Sequence, residues 1–227
     1  RSKHLVPVCF VSAKSAAGIE LLLRILTELM PTPLEGNHPL FLDGDKAVDV
    51  TPCEKGHVLA HVFKVEVDPF MGRLALVRVH QGRIFSDSHL LIGDSGTSFK
   101  VAHLYQLQGN KRTEVHSAVA GDICAIAKIE ELGFDSVLHD SDDEAQFHLK
   151  TLELPPPMFS LAIKPMKRGD EQKLSDTLKK LTAEDPSLVV THKANLNETL
   201  ITGVGELHVQ VAIESMEKEF KLVVETS

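Results

Sequence analysis

The chain has 227 residues, enough for one large domain or two to three small ones, and its 43% apolar and 25% charged content is that of an ordinary globular protein. No apolar run reaches the roughly 18 residues that span a bilayer, and no basic stretch followed by an apolar core opens the chain as a secretory signal would. A net charge of −8 argues against a free DNA-binding protein, which needs clustered positive charge to displace counterions, but it leaves room for local basic patches that meet RNA inside a large assembly.

In residues 1–36, "VPVCFVSAKS" begins with a short apolar, β-branched run that reads as a buried strand. "AAGIELLLRILTELMP" follows, with Ile19, Leu22, Leu23, Leu26 and Leu29 on one helical face and Pro31 as the stop. Strand, loop and helix make half of a βα unit, which cannot bury both its faces alone. This opening therefore reads as the C-terminal remnant of an α/β domain. Residues 37–56 carry Pro, Gly and Asp throughout and read as a linker.

Residues 57–142 are strand-like. Val58, Ala60 and Val62 alternate, and then Phe63, Val65 and Val67 alternate in the opposite phase, which predicts a bulge. "GRLALVRVHQG", "HLLIG", "FKVAHLYQL" and "GDICAIAKI" follow at spacings of about ten residues with turn residues between them, the pattern of a small closed antiparallel β-barrel. Residues 143–157 read as a second linker. Residues 158–227 give strand ("MFSLAIKP"), helix ("GDEQKLSDTLKKLTAEDP", with Leu174, Leu178 and Leu181 on one side), two strands ("SLVVTHK", "NETLITG"), helix ("GELHVQVAIESMEKEF") and strand ("KLVVET"). The order βαββαβ is the ferredoxin-like α+β arrangement, a fold that hosts many functions and decides none.

"ITGVGELHV", residues 201–209, is the densest candidate for chemistry. It lacks the GxxxxGK[ST] of a phosphate loop and the third glycine of GxGxxG. Gly203 and Gly205 suit a tight turn, and Glu206 suits the positive end of a helix. His208 has the pKa range of a general base, but no nucleophile accompanies it in sequence, so a structural turn and helix start is the favoured reading. His57 and His61 sit in a strand pattern, where positions four apart lie roughly 13 Å from each other, too far to share an ion. "HDSDDEAQFH", 139–148, and "DGDKAVD", 43–49, both lack the calcium-loop spacing and read as solvated acidic turns. The three cysteines, Cys9, Cys53 and Cys124, have no metal spacing and fit a reducing compartment. The basic pairs Lys111–Arg112 and Lys167–Arg168 are phosphate-contact candidates whose ordinary reading is solvated surface. The strand-to-loop position of Ser12–Lys14 is where α/β sheets bind ligands.

The order of these signals resembles bacterial elongation factor G and its relatives, the translational GTPases, over essentially the whole chain. "VPVCFVSAK…GIELLLRILTELMPTP" looks like the end of their G domain. "HVFKVEVDPFMGRLALVRVHQGRI", "GNKRTEV" and "AGDICAI" look like their second domain, and "AIKPMKRGDEQKLSDTLKKLTAEDPSL" with "TLITGVGELHV" like their third. The resemblance implies that Ser12, Ala13 and Lys14 belong to the loop that contacts the guanine base. It makes Arg73, Arg83, Lys111 and Arg112 candidate contacts of the barrel with the ribosome or its RNA. It assigns Gly203, Gly205, Glu206 and His208 to a helix start that relays nucleotide state between domains, without bond-making chemistry. No catalytic residue and no metal ligand is implied within the chain.

The parent protein implied is a cytoplasmic GTPase of protein synthesis, acting in translocation or ribosome recycling with GTP and magnesium. Its partners are ribosomal RNA and proteins and its own G domain, not a membrane and not DNA. The chain itself carries no GxxxxGK[ST] and no Asn-Lys-x-Asp, so it is expected to be a middle fragment that hydrolyses nothing. Two departures from the family pattern, Ser86 in "GRIFSDS" and "IESMEKEF" in place of an Asp-Arg pair near Ile213–Ser215, suggest a divergent paralogue. A ribosome-protection or ribosome-splitting factor of the same architecture is the near alternative. A ferredoxin-like RNA-binding module ranks below it, because the sheet lacks stacking aromatics. A metabolic enzyme using Glu206 and His208 is the remaining reading.

Overall fold

A computed structural model describes residues 6–32, 35, 40–48, 50–68, 71–93, 95–109, 111–141, 146–150, 152–167, 169–193 and 198–226. The chain divides into two compact units, Arg1–His38 and Pro39–Ser227. In the first, α1 (Ile19–Leu29) forms where the apolar spacing places it, and none of its residues is buried. The strand expected just before it is absent: residues 6–11 pair with nothing among the described residues, and Ser12 makes a single bridge to Ala17. A strand exists only where a neighbour takes its hydrogen bonds, and Val6, Val8 and Phe10 stand 77%, 78% and 93% exposed.

The second unit opens with β1 (Phe41–Asp43) and β2 (Lys46–Val48), followed by β3 (Leu59–Asp68) and β4 (Gly72–Gln81). The chain continues through β5 (Arg83–Phe85), β6 (His89–Ile92), β7 (Thr97–Lys100), β8 (Leu104–Gln108), β9 (Lys111–Glu114), β10 (Ser117–Val119), β11 (Ile123–Ala127) and β12 (Val137–His139). An antiparallel sheet runs β7-β6-β12-β3-β4-β11-β8-β9, and β5 pairs with β10 as a separate ribbon. Every strand of this sheet and ribbon except β9 points apolar residues into one core, among them Val62, Val77, Ile84, Leu90, Phe99, Leu104, Ala118, Ile126 and Leu138. That inward convergence makes the curled sheet a barrel. The phase switch in β3 is a bulge: Val62 faces Val77 and Lys64 faces Leu76, so Phe63 is the extra residue.

Composition misleads at both supposed linkers. β1 in the first pairs with β13 (Phe147–Leu149) in the second, in the register Phe41↔Leu149, and β2 completes a three-stranded strap. Phe41 and Leu149 bury themselves against Leu59 and Val137 of the barrel. The strap is therefore held by apolar contact rather than left as free spacer.

The remainder is β14 (Phe159–Pro165), α2 (Glu171–Glu184), β15 (Val189–Lys193), β16 (Glu198–Gly203), α3 (Glu206–Lys218) and β17 (Val224–Thr226). The antiparallel sheet order β15-β16-β14-β17 is that of the ferredoxin-like fold. Leu174, Leu178 and Leu181 of α2 and Val209, Ala212 and Met216 of α3 repeat at three- and four-residue intervals, and they close over Ile163 and Ile201 of the sheet. Pro186 follows the Asp185 cap and prevents α2 from continuing.

Candidate functional site

The sheet register brings two distant segments together. Val189, which starts β15, pairs with Thr202 near the end of β16. The residues leading into β15, Ala183–Ser187, therefore lie beside those leaving β16, Gly203–Glu206. Across this meeting point His208 Nε2 lies 2.8 Å from Asp185 Oδ2. The Val204 N–H donates to His208 Nδ1 at 3.1 Å, so Nδ1 is the acceptor and the ring proton sits on Nε2, pointing at Asp185. The other carboxylate oxygen, Asp185 Oδ1, accepts from Ser187 N–H at 2.9 Å and from the Ser187 hydroxyl.

This wiring is not that of a nucleophile–base pair. A nucleophile–base pair requires a hydroxyl bonded to a free imidazole nitrogen. Here the hydroxyl and the imidazole both donate to the same carboxylate, and the second imidazole nitrogen is taken by backbone. Glu206 faces elsewhere, accepting from Gln210 Nε2 one turn along α3 at 3.0 Å. Partial burial raises the Asp185 pKa, but hydrogen bonds from Ser187 and then His208 outweigh it and hold the carboxyl below its usual range.

The neighbouring residue reaches the barrel. Glu184 Oε1 accepts the N–H of Val67 in β3 at 2.6 Å. Burial pushes the Glu184 carboxyl above the usual glutamate range, and Glu219 and Glu66 push the same way against the Val67 hydrogen bond and Lys64. Two clefts adjoin the junction. One, about 350 Å³, is lined by Glu66, Asp68, Arg112, Glu184 and Glu219. The other, about 530 Å³, includes Arg73, Glu130, Lys180 and Phe220. A larger groove of about 800 Å³ between α2 and the sheet contains none of the candidate site residues named from the sequence.

The basic candidates separate into two places. Arg112 pairs with the largely buried Asp68 at 2.6 Å and Arg73 donates to the Glu130 carbonyl at 2.9 Å, so both serve the barrel end next to the third domain. Arg83 pairs with Glu54 and lies over the Phe85 ring on β5, while Lys111 is exposed on β9. Arg168 lies outside the described residues, as do Asp49 of "DGDKAVD" and residues 142–145 of the acidic stretch at 139–148. In the first unit, the Ser12 N–H donates to the Ala17 carbonyl at 3.0 Å and Ser15 N–H to Ser12 Oγ at 3.4 Å, which leaves Ala13 and Lys14 exposed at a loop tip. His61 Nδ1 contacts His80 Nε2 at 3.2 Å, and His57 lies outside β3, 3.6 Å from Asp140. No group of three metal-ligating side chains occurs among the described residues. No helix there is long and apolar enough to cross a membrane.

The side-chain contacts of Glu184 and Asp185 leave no local mark in the sequence around them. The βαββαβ order implies the Asp185–His208 meeting, because antiparallel pairing of the two middle strands brings the chain before the first beside the chain after the second, but it carries no signal for the Glu184 contact with the barrel.

Comparison with known proteins accords with this geometry. Residues 57–140 match elongation factor G domain 2, and residues 154–227 match elongation factor G domain III. The chain is 28% identical over 223 residues to elongation factor G 1 of Syntrophomonas wolfei, covering 97% of this chain and 33% of that protein. It is 31% identical to elongation factor G of Mycoplasma genitalium and 34% identical to that of Petrotoga mobilis, in each case over 96% of this chain and 32% of the relative. A crystal structure of a Thermus thermophilus protein superposes with a TM-score of 0.71 at 33% identity, covering 92% of this chain and 29% of the other. The chain thus spans about a third of the length of the curated relatives it matches. With these two matches the chain carries a domain 2 and a domain III of the elongation factor G family.

Proposed function

We propose that this chain is the motion-transmitting middle of an elongation-factor-G-like GTPase of protein synthesis, with the barrel as a docking element on the ribosome and the third domain as a relay. The observation that carries the reading is the continuous path from β3 through Glu184 and Asp185 to His208 and α3. A relay needs packed elements joined by few, directional contacts, and this path supplies them. Arg83 and Lys111 are the barrel groups best placed for ribosomal RNA, since Arg73 and Arg112 serve the joint with the third domain. GTP and magnesium belong to the longer protein; this chain would offer the guanine base only the loop tip at Ser12, Ala13 and Lys14. The chemistry of phosphate release lies outside these residues, which contribute position and not proton transfer. The proposed setting is the cytoplasm.

Co-sedimentation of the 227-residue chain with ribosomes tests the reading. Binding is expected at low ionic strength, falling as salt rises and weakened several-fold in Arg83→Ala/Lys111→Ala, because phosphate contacts release counterions. Isothermal titration with GTP or GDP in magnesium buffer is expected to give no heat above dilution. Failure to bind ribosomes at low salt, or tight guanine-nucleotide binding by this chain, would overturn it.

A further inference from the structure

The joint between barrel and third domain is narrow. Among the described residues, one hydrogen bond crosses it, from Val67 N–H to Glu184 Oε1, and the two clefts noted above border it. Glu184 is the last residue of α2, where the exposed carbonyl end of the helix disfavours a negative side chain. Glu184 holds the backbone of β3, downstream of the Phe63 bulge, while the next residue, Asp185, holds His208.

We propose that Glu184 is the latch of this joint: its side chain docks the barrel onto α2, and the adjoining Asp185–His208 bond passes any rotation of the barrel to the start of α3. The assignment deepens the relay reading and rests on it for its purpose, though not for its geometry. Charged groups surround the latch on every side. Glu66 and Lys64 face it from β3, and Glu219 faces it from the end of α3. Asp68 and Arg112 line one cleft, and Arg73, Glu130, Lys179 and Lys180 line the other. Lys64 is committed to Glu66 at 2.7 Å and Arg112 to Asp68 at 2.6 Å, so the nearest acids, Glu66 and Glu219, are what Glu184 meets on docking. Burial and these two carboxylates favour the protonated acid in the docked state. The sign follows: docking takes up a proton, so the latch closes more firmly as pH falls and loosens as pH rises through the raised value of docked Glu184. Glutamine, neutral and of the same length, retains an oxygen to accept the Val67 N–H.

The test is made on the 227-residue chain. Spin labels at Ser98 on the barrel and Glu217 on α3, in a Cys9→Ser/Cys53→Ser background, report the interdomain distance distribution, and amide exchange reports Val67. Wild type is expected to narrow as pH falls through the raised value of docked Glu184. Glu184→Gln is expected to be as narrow as wild type at the acid end of the titration and insensitive to pH. Glu184→Ala is expected to be broad at all pH, with Val67 exchanging at least tenfold faster while Val77 in the barrel core is unchanged. An unaltered distribution and intact Val67 protection in Glu184→Ala would overturn the latch, as would Glu184→Gln opening as far as Glu184→Ala. Ribosome co-sedimentation separates the two proposals: a chain that opens in Glu184→Ala but never binds ribosomes keeps the latch and loses the relay.

Discussion

His208 Nε2 donates to Asp185 Oδ2 at 2.8 Å, and through this bond the helix that begins after β16 is tied to the cap of the helix that precedes β15. Because Val204 N–H occupies the other ring nitrogen, removing His208 leaves two partners unmet rather than one. His208→Ala and Asp185→Ala are each expected to destabilise the third domain by about 1–2 kcal/mol, the range for lost, partly buried hydrogen bonds. The double variant should lose less than the sum, since the second substitution finds the bond already gone. Urea unfolding of the four proteins measures this coupling, and strict additivity would show the pair to be incidental.

The glycines flanking Val204 have different duties. A Cβ at Gly203 would lie 2.8 Å from His208 Nδ1 and 3.0 Å from Val209 Cγ2, so the ring seats against a position that only glycine leaves open. Nothing lies within 4 Å of a Cβ at Gly205, which caps α3 in an extended conformation open to any residue. Gly203→Ala should therefore destabilise by about 1–3 kcal/mol, as overpacking does. Gly205→Ser should be neutral or stabilise by a few tenths of a kcal/mol, since serine can cap the exposed N–H groups. Thermal melts of the two variants should shift unequally, and equal losses would contradict the geometry.

Asp185 and Glu184 oppose one another in pH dependence. The Asp185 pKa is lowered in the folded protein, so its contribution is complete above the ordinary aspartate value and is lost as pH falls through the folded one. The Glu184 pKa is raised, so its contribution is present in acid and is lost as pH rises through the raised, folded value. Stability profiles should accordingly flatten below about pH 4 in Asp185→Asn. Above the raised Glu184 value they should lie above wild type in Glu184→Gln. Parallel profiles for all three proteins would remove the electrostatic account of this corner.

Much of the architecture was legible in the residues. The βαββαβ order follows from periods of about two and 3.6, and the bulge at Phe63 follows from the change of alternating phase. The strap formed by β1, β2 and β13 was not legible, because three-residue strands are too short for a period and Phe41 meets Leu149 from far along the chain. The stretch 6–11 erred in the other direction: β-branched residues mark a surface fit for pairing, but they do not supply the partner. At the site, Gly203, Gly205, Glu206 and His208 were visible as one segment. The roles of Glu184 and Asp185 were hidden in "TAEDPS", where two acids before a proline read first as the end of a helix. Of the basic residues chosen by charge alone, Arg73 and Arg112 turn out to be engaged at the joint with the third domain and Arg83 to pair with Glu54, which charge counting does not reveal.

The cysteines test the barrel core independently of the joint. Cys124 faces inward from β11 among Ala60, Val62, Ile126 and their neighbours, and burial, aided by Asp122, pushes its thiol up to about 12. Cys53 is exposed in the segment before β3, and Cys9 is partly exposed in the first unit. The thiolate is the reacting species, so both access and ionisation protect Cys124. Native protein at pH 8 should therefore take up a maleimide or a disulfide reagent quickly at Cys53, and at Cys124 only when the barrel opens. Its labelling rate should rise with urea along the barrel's unfolding transition, whereas the rate at Cys53 should hardly change. Mass spectrometry of peptides after timed labelling distinguishes the sites. Early modification of Cys124 in native buffer would mean that the eight-stranded sheet does not close over its core as described.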